Sequence, residues 1–255
     1  MDFSPTELSG RVAVVTGASS GIGQATVLAL AAGGANCVVH ARASRHAAEL
    51  VAEQARVLGV EACVLLGDVG ERASGDLVAR AWDWRGSVDI WVNNAGADVL
   101  TGEPATWPFD RKLEALWRVD VAGTMRLARA VGTRMKARGK GLIVNMGWDQ
   151  ADEGMAGDSG ELFAATKGAV MAFSKSLAQS LAPEVRVNCV APGWIKTKWG
   201  EGASPYWHER AAAESLVGRW GVPADVARVV RFLASDGAGF VTGQVIAVNG
   251  GRKRS

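Results

Sequence analysis

Thr16-Gly17-Ala18-Ser19-Ser20-Gly21-Ile22-Gly23 stands between the apolar run Val12–Thr16 and an Ala/Leu-rich stretch, Gly21–Ala32. The order is strand, glycine-rich turn, helix. Gly17 allows a tight turn, Gly21 lets the backbone approach a ligand, and Gly23 lets helix pack close on strand. The helix then offers unpaired N–H groups and the positive end of its dipole to a phosphate. Gly17, Ser19, Ser20, Gly21, Ile22 and Gly23 are therefore candidate pyrophosphate-binding residues. The alternative is an ordinary strand–helix turn. No Gly-Lys-Ser/Thr follows, which excludes a nucleoside-triphosphate P-loop.

The same alternation continues outward. Asn36–His40, Ala62–Leu66, Val88–Val92, Leu142–Met146, Val185–Val190 and Gln244–Val248 read as further strands. They are continuous apolar runs, as expected where both faces of a parallel sheet are covered. Between them, Arg45–Leu58, Arg72–Arg85, Arg111–Arg138, Glu161–Leu181 and Ala224–Ser235 read as helices. The expectation is an α/β fold: a single-domain Rossmann-type doubly wound sheet of about seven parallel strands with helices on both faces, over residues 1–255. Two loops break the rhythm, 147–160 and 193–218. Both leave the carboxyl ends of strands, where such sheets bind ligands. The second is expected to act as a lid.

Composition excludes several classes. The 28 basic and 26 acidic residues leave a net charge of +2, with no basic field for nucleic acid. Arg252-Lys253-Arg254 reads as a solvated tail. The three cysteines, Cys37, Cys63 and Cys189, lie in apolar runs and fit free buried thiols. His40, His46 and His208 show no metal spacing. Residues 1–10 are polar and no apolar run approaches membrane-spanning length, so a soluble cytoplasmic protein without membrane contact is expected. The aromatics are skewed, with ten Trp against one Tyr, Tyr206.

After the second strand comes His40-Ala41-Arg42-Ala43-Ser44-Arg45. An acid there would bind the ribose 2′-hydroxyl of NAD; none is present, and Arg42 can hold a 2′-phosphate. NADP(H) is favoured over NAD(H). The other reading of Arg42 is a solvated loop residue.

With these residues in place, the chain resembles the short-chain dehydrogenase/reductase family, near the ketoacyl-carrier-protein reductases, over about residues 9–251. Thr16–Gly23 matches the family's TGxxxGxG. Asp68-Val69 matches its adenine-contacting Asp, and Asn93-Asn94-Ala95-Gly96 its NNAG. Ala191-Pro192-Gly193 with Thr197 matches the nicotinamide segment, and Asn249-Gly250-Gly251 its terminal DGG. The resemblance implies Asp68, Val69, Asn94, Ala95, Gly96, Lys167, Pro192, Gly193 and Thr197 as cofactor-binding residues. It also implies a homodimer or homotetramer through the helices at 111–138 and 161–181.

The family's chemistry uses a tyrosine four positions before a lysine, on one helix face. The lysine is present as Lys167, but Phe163 holds the tyrosine position. Seven positions before Lys167, where the family's enoyl reductases place tyrosine, stands Gly160. The family's serine aligns with Trp148 by the fifth strand, or with Gln150 counted back from Phe163. Its helix asparagine aligns with Asp120. Of the four positions only Lys167 keeps the family's residue.

Asp149 and Asp120 are candidate replacement proton donors, if an apolar neighbour such as Trp148 raises a carboxyl pKa. The alternative is solvated loop acids. Tyr206 lies in the lid without a lysine partner. Trp148, Trp194, Trp199 and Trp207 either form an aromatic platform for a flat or cationic substrate or fill the vacated pocket. Three functions stay open: an NADP(H)-dependent oxidoreductase on an unknown carbonyl or alcohol with a non-standard donor, an inactive cofactor-binding subunit or sensor, and non-redox chemistry in the old pocket.

Overall fold

The structure, a computed structural model, describes residues 6–71 and 75–253, the side chains of Trp199 and Glu201 excepted. Seven strands form one parallel sheet: β1 (Val12–Val15), β2 (Asn36–Ala41), β3 (Ala62–Leu66), β4 (Ile90–Asn93), β5 (Gly141–Met146), β6 (Val185–Pro192) and β7 (Val245–Val248). Their order is β3-β2-β1-β4-β5-β6-β7. The direction of winding reverses between β1 and β4, which opens a crevice at the strands' carboxyl ends.

Along β1 the side chains alternate between two cores. Ala13 and Val15 pack with α1 (Gly21–Ala31), α2 (Arg45–Val57) and the later helix at Pro223–Ala234. Val12 and Val14 pack on the other side with α3 (Gly75–Arg85) and with helices at Thr124–Arg138 and Asp158–Leu181. Both faces are covered, so no polar alternation survives in the strand, and the apolar runs read as expected.

The long helix expected over 111–138 is divided. α4 (Phe109–Leu116) passes into a π-helical turn, Trp117–Gly123, and then into α5 (Thr124–Arg138). Wide turns of this kind concentrate at functional sites, and this one carries Asp120 inward to 2% exposure. α6 (Asp158–Leu181) begins ahead of the expected Glu161, with Asp158 and Glu161 in its first turn where the dipole favours acids. The segment 193–218, expected to act as a lid, contains α7 (Lys198–Glu201) and α8 (Pro205–Glu214) and is followed by α9 (Pro223–Ala234). The expected start of α3 at Arg72 lies outside the described residues.

A buried polar chain fixes α6 against the sheet. Trp91 Nε1 donates to Asn93 Oδ1 (2.8 Å), Asn93 Nδ2 to Asn145 Oδ1 (2.8 Å), and Asn145 Nδ2 to Ser174 Oγ (2.9 Å). Each bond has one geometry that satisfies both partners, so the chain specifies the rotation of α6 and thereby where Lys167 and Phe163 point.

The C-terminal segment corrects the solvated-tail expectation. Leu216 N donates to Gly251 O (3.2 Å), Lys253 N donates to Glu214 O (2.9 Å), and Arg252 pairs with Glu153 at 2.7 Å. This segment joins the lid to the loop after β5. Arg254 lies outside the described residues. Among the described residues no helix is long and apolar enough to cross a membrane, and no acid, His or Cys cluster suits a metal.

Candidate functional site

The glycine turn has the conformation its sequence requires. Gly17 and Gly21 hold φ of +62° and +57°, and a Cβ on Gly17 would lie 2.7 Å from Ala95 Cα. A Cβ on Gly23 would lie 2.6 Å from Asn94 Nδ2, so α1 can approach β1 only with glycine there. Ser20, with extended backbone (φ −164°, ψ 173°), is the N-cap of α1. Asn94 ties the turn from across the sheet: its Nδ2 donates to Thr16 O and Gly17 O, both at 3.0 Å. Thr16 Oγ1 accepts the N–H groups of Asn94 and Ala95, both at 3.0 Å.

His40 is a residue that reading the sequence missed. It is 1% exposed at the end of β2. Nδ1 accepts the Gly17 N–H (3.3 Å), which leaves Nε2 protonated to donate to Gly67 O (3.0 Å). A neutral imidazole thus clasps the glycine turn to β3's exit. Burial holds its pKa at about 4, below the ordinary 6.5, against the opposing bond to Gly67. The unfolded chain takes up this proton first as pH falls. The stabilisation is complete above about pH 6.5 and is lost down to about pH 4, roughly 3 kcal/mol in all. Urea unfolding at pH 7 and pH 5 should show this slope, and His40→Gln should flatten it. An unchanged slope in the variant would rule the clasp out. The one available signal was a polar residue set between the apolar run Cys37–Val39 and Ala41.

A cleft of ≈ 720 Å³ runs from the glycine turn along the ends of β2 and β3. Gly17, Ser19, Ser20, Arg42, Asp68, Val69, Asn94, Ala95 and Gly96 line it, so the expected cofactor residues of this half converge. Asp68 accepts from Gly70 N (2.8 Å) and from Arg118 Nη1 (3.0 Å). Burial raises its pKa, but these two donors and the charge of Arg42 outweigh burial and hold it below the ordinary carboxylate value. Arg118 was not anticipated, because it comes from the π-helical turn.

A second cavity, ≈ 480 Å³, opens where β5 and β6 end and meets the first at Asn94, which lines both. Ile22, Pro192, Gly193 and Thr197 form its floor side; Trp148, Phe163, Lys167, Trp194 and Trp207 also line it. Gly21 comes close to the lid here, since a Cβ on it would lie 3.7 Å from Thr197 Cγ2. Trp148 and Phe163 meet edge-on, with centroids 6.2 Å apart. Gln150 is 1% exposed and does not line the cavity. Trp148, and not Gln150, is among the residues lining the cavity.

Lys167 Nζ lies 2.8 Å from Asp120 Oδ1 and 3.4 Å from Met146 O. Asp120 Oδ2 accepts the Ala97 N–H (2.8 Å). This corrects the expectation for Asp120: its carboxylate is the buried counter-ion of Lys167 and does not line the cavity. Asp149 is not among the residues lining the cavity but adjoins one of them: its Oδ2 accepts from Asn249 Nδ2 (3.0 Å), and a Cβ on Gly193 would lie 3.0 Å from that oxygen. Burial raises its pKa against the Asn249 bond, and its Oδ1 has no partner. Tyr206 is 62% exposed and packs edge-on to Trp207, away from Lys167. The side chain of Trp199 lies outside the described residues.

On the lid, Trp194 Nε1 donates to Glu214 (2.8 Å), and Glu214 also accepts from Arg210 (2.6 Å). The Arg210 guanidinium lies 5.8 Å from the Trp194 ring centroid and 5.2 Å from that of Trp207.

A family profile described as enoyl-(acyl carrier protein) reductase matches residues 17–253. The 3-oxoacyl-[acyl-carrier-protein] reductase FabG of Thermotoga maritima is 33% identical over 250 residues, covering 96% of this chain and 98% of that one. The chain belongs to the short-chain dehydrogenase/reductase family. Among solved structures it is similar to a 7α-hydroxysteroid dehydrogenase complexed with NADH and 7-oxo glycochenodeoxycholic acid. That likeness has a TM-score of 0.88 and 28% identity, covering 100% of this chain and 99% of the other. It is also similar to a gluconate 5-dehydrogenase from Burkholderia cenocepacia in complex with NADP and tartrate. There the TM-score is 0.85 and the identity 32%, covering 98% of this chain and 97% of the other. Within this family of oxidoreductases, the Asp120–Lys167 pair and the apolar wall of Trp148 and Phe163 are the features of this chain that bear on chemistry.

Proposed function

We propose that this short-chain dehydrogenase/reductase binds NADP(H) and lacks the family's usual route for delivering a proton to a carbonyl. The glycine cradle, closed to any Cβ at Gly17 and Gly23, fits a pyrophosphate against the start of α1. Arg42 lines the cleft at the end of β2, where no acid opposes a 2′-phosphate, and the NADP complex of the gluconate dehydrogenase supports this choice. When bound, the nicotinamide group supplies or accepts hydride.

The observation that carries the second half is the Lys167 environment. One helical turn before it, Phe163 presents a ring without a hydroxyl, and its ammonium is held by Asp120. Trp148 stands at the mouth of β5 where the family's serine is expected. The chain retains the groups that orient a cofactor and has none of the hydroxyls that would hand a proton to substrate from those positions. Ordinary ketone reduction is therefore expected to be slow.

Titration with NADPH, followed by nicotinamide fluorescence, tests the first half. Arg42→Ala should weaken NADPH by about 10–100-fold through loss of a charge-assisted bond, with less than about threefold change for NADH. Tighter binding of NADH than NADPH by the unaltered chain overturns the assignment. Brisk turnover of a simple ketone overturns the second half.

A second reading is a cofactor-binding subunit that acts through assembly, as a homodimer or homotetramer. Trp117 is 50% exposed on the helical segment expected at the interface, and Phe109, just before that segment, is 39% exposed. Turnover with any carbonyl separates the two.

A further inference from the structure

We infer that the ≈ 480 Å³ cavity takes a flat, uncharged aromatic ligand of about two fused rings, stacked on its indole walls and anchored by Ser159. This rests on the preceding reading only in seating the ligand beside the nicotinamide end of the cleft.

The walls supply the first argument. One aromatic pair, Trp148 and Phe163, comes from the β5 loop and α6; another, Trp194 and Trp207, with centroids 5.4 Å apart, comes from the lid. All four line a space that stays open, so these rings do not merely plug the pocket. Rings of this kind gain more from a flat π face than from a saturated skeleton of the same area.

Charge supplies the second. Among the described residues Lys167 is the one ionisable group lining the cavity, and Asp120 already neutralises it. A carboxylate ligand would lose its hydration without gaining a counter-ion. A cationic ligand fares no better, because the Trp194 and Trp207 rings already carry the Arg210 guanidinium, itself bonded to Glu214.

Ser159 supplies the third. It lies four residues before Phe163 and eight before Lys167, so the three share one face of α6. It lines the cavity, and among the described hydrogen bonds its hydroxyl has none. It is thus a hydroxyl on the same helix face as the Phe163 ring, suited to a phenol or aryl carbonyl oxygen. The loop register hid it, because the family's serine is sought after β5 and not at the start of α6.

The test is calorimetric titration of the chain, both cofactor-free and saturated with NADP⁺, with 2-naphthol, naphthalene, 2-decalol and 2-naphthoate. The expected result is 2-naphthol binding at least about tenfold more tightly than 2-decalol or 2-naphthoate. Ser159→Ala should weaken 2-naphthol by about 3–10-fold and leave naphthalene unchanged. Trp148→Ala, checked for an unaltered circular dichroism spectrum, should reduce the preference for 2-naphthol over 2-decalol. Equal affinity for the flat and saturated rings overturns the inference. So does equal or tighter binding of 2-naphthoate, an equal effect of Ser159→Ala on naphthalene, or absence of 2-naphthol binding. NADPH fluorescence on the same samples reports the cofactor reading separately, so failure of either is distinguishable from failure of the other.

Discussion

Replacing Lys167 by methionine is expected to destabilise the chain by about 3–5 kcal/mol. Methionine keeps the unbranched stem of the side chain and removes its terminal ammonium. Asp120, 2% exposed, would then retain the Ala97 N–H at 2.8 Å as its one described partner. A carboxylate left buried with one neutral donor is the costly case, far more so than loss of an exposed ion pair. Asp120→Asn should cost less, about 1–2 kcal/mol. The amide still accepts from Ala97, and Lys167 borders the cavity, where water can solvate it. The double variant should recover much of the loss, because no lone charge remains. Urea unfolding at constant m measures all three. A cost below about 1 kcal/mol for Lys167→Met would mean that the pair is not the buried interaction described here.

The second large effect is on turnover. Phe163→Tyr, Trp148→Ser and Asp120→Asn together should raise NADPH-dependent reduction of a simple β-keto ester by at least about 100-fold over the unaltered chain. Phe163→Tyr alone should do little. Its phenol would stand one turn from an ammonium whose charge Asp120 already balances, so the field that makes a phenol acidic is weakened. Trp148 would still offer no hydroxyl to the carbonyl. The effects of groups that act as a unit are not additive. Stopped-assay rates at saturating NADPH, with melting temperatures to confirm folding, give the comparison. Brisk activity from Phe163→Tyr alone would show that Asp120 does not restrain Lys167.

Much of this chain was legible before any coordinates. Val12–Val15 is buried on both faces, and its continuous apolar character was the readable trace of a covered parallel sheet. The glycines at 17, 21 and 23 were legible for a related reason: a Cβ at 17 or 23 would lie within 3 Å of neighbouring backbone, and 21 holds a φ of +57° that favours glycine. That positions 148 and 163 carry Trp and Phe, without a hydroxyl, is read directly off the sequence. The division of the 111–138 helix was not, because a π-helical turn has no signature residue type and shifts the helical phase only over one short stretch.

What the sequence alone determined is the doubly wound sheet, the glycine-rich strand–helix turn and the absence of a hydroxyl at Trp148 and Phe163. Each follows from local pattern, where one or two residues admit a single conformation or lack a functional group outright. Only the tertiary structure decided the pairing of Asp120 with Lys167, the His40 clasp, the placement of Ser159 in the cavity and the tie of Arg252 to Glu153. Those depend on which distant segments meet. A charge or a ring nitrogen declares no partner until packing removes water from around it.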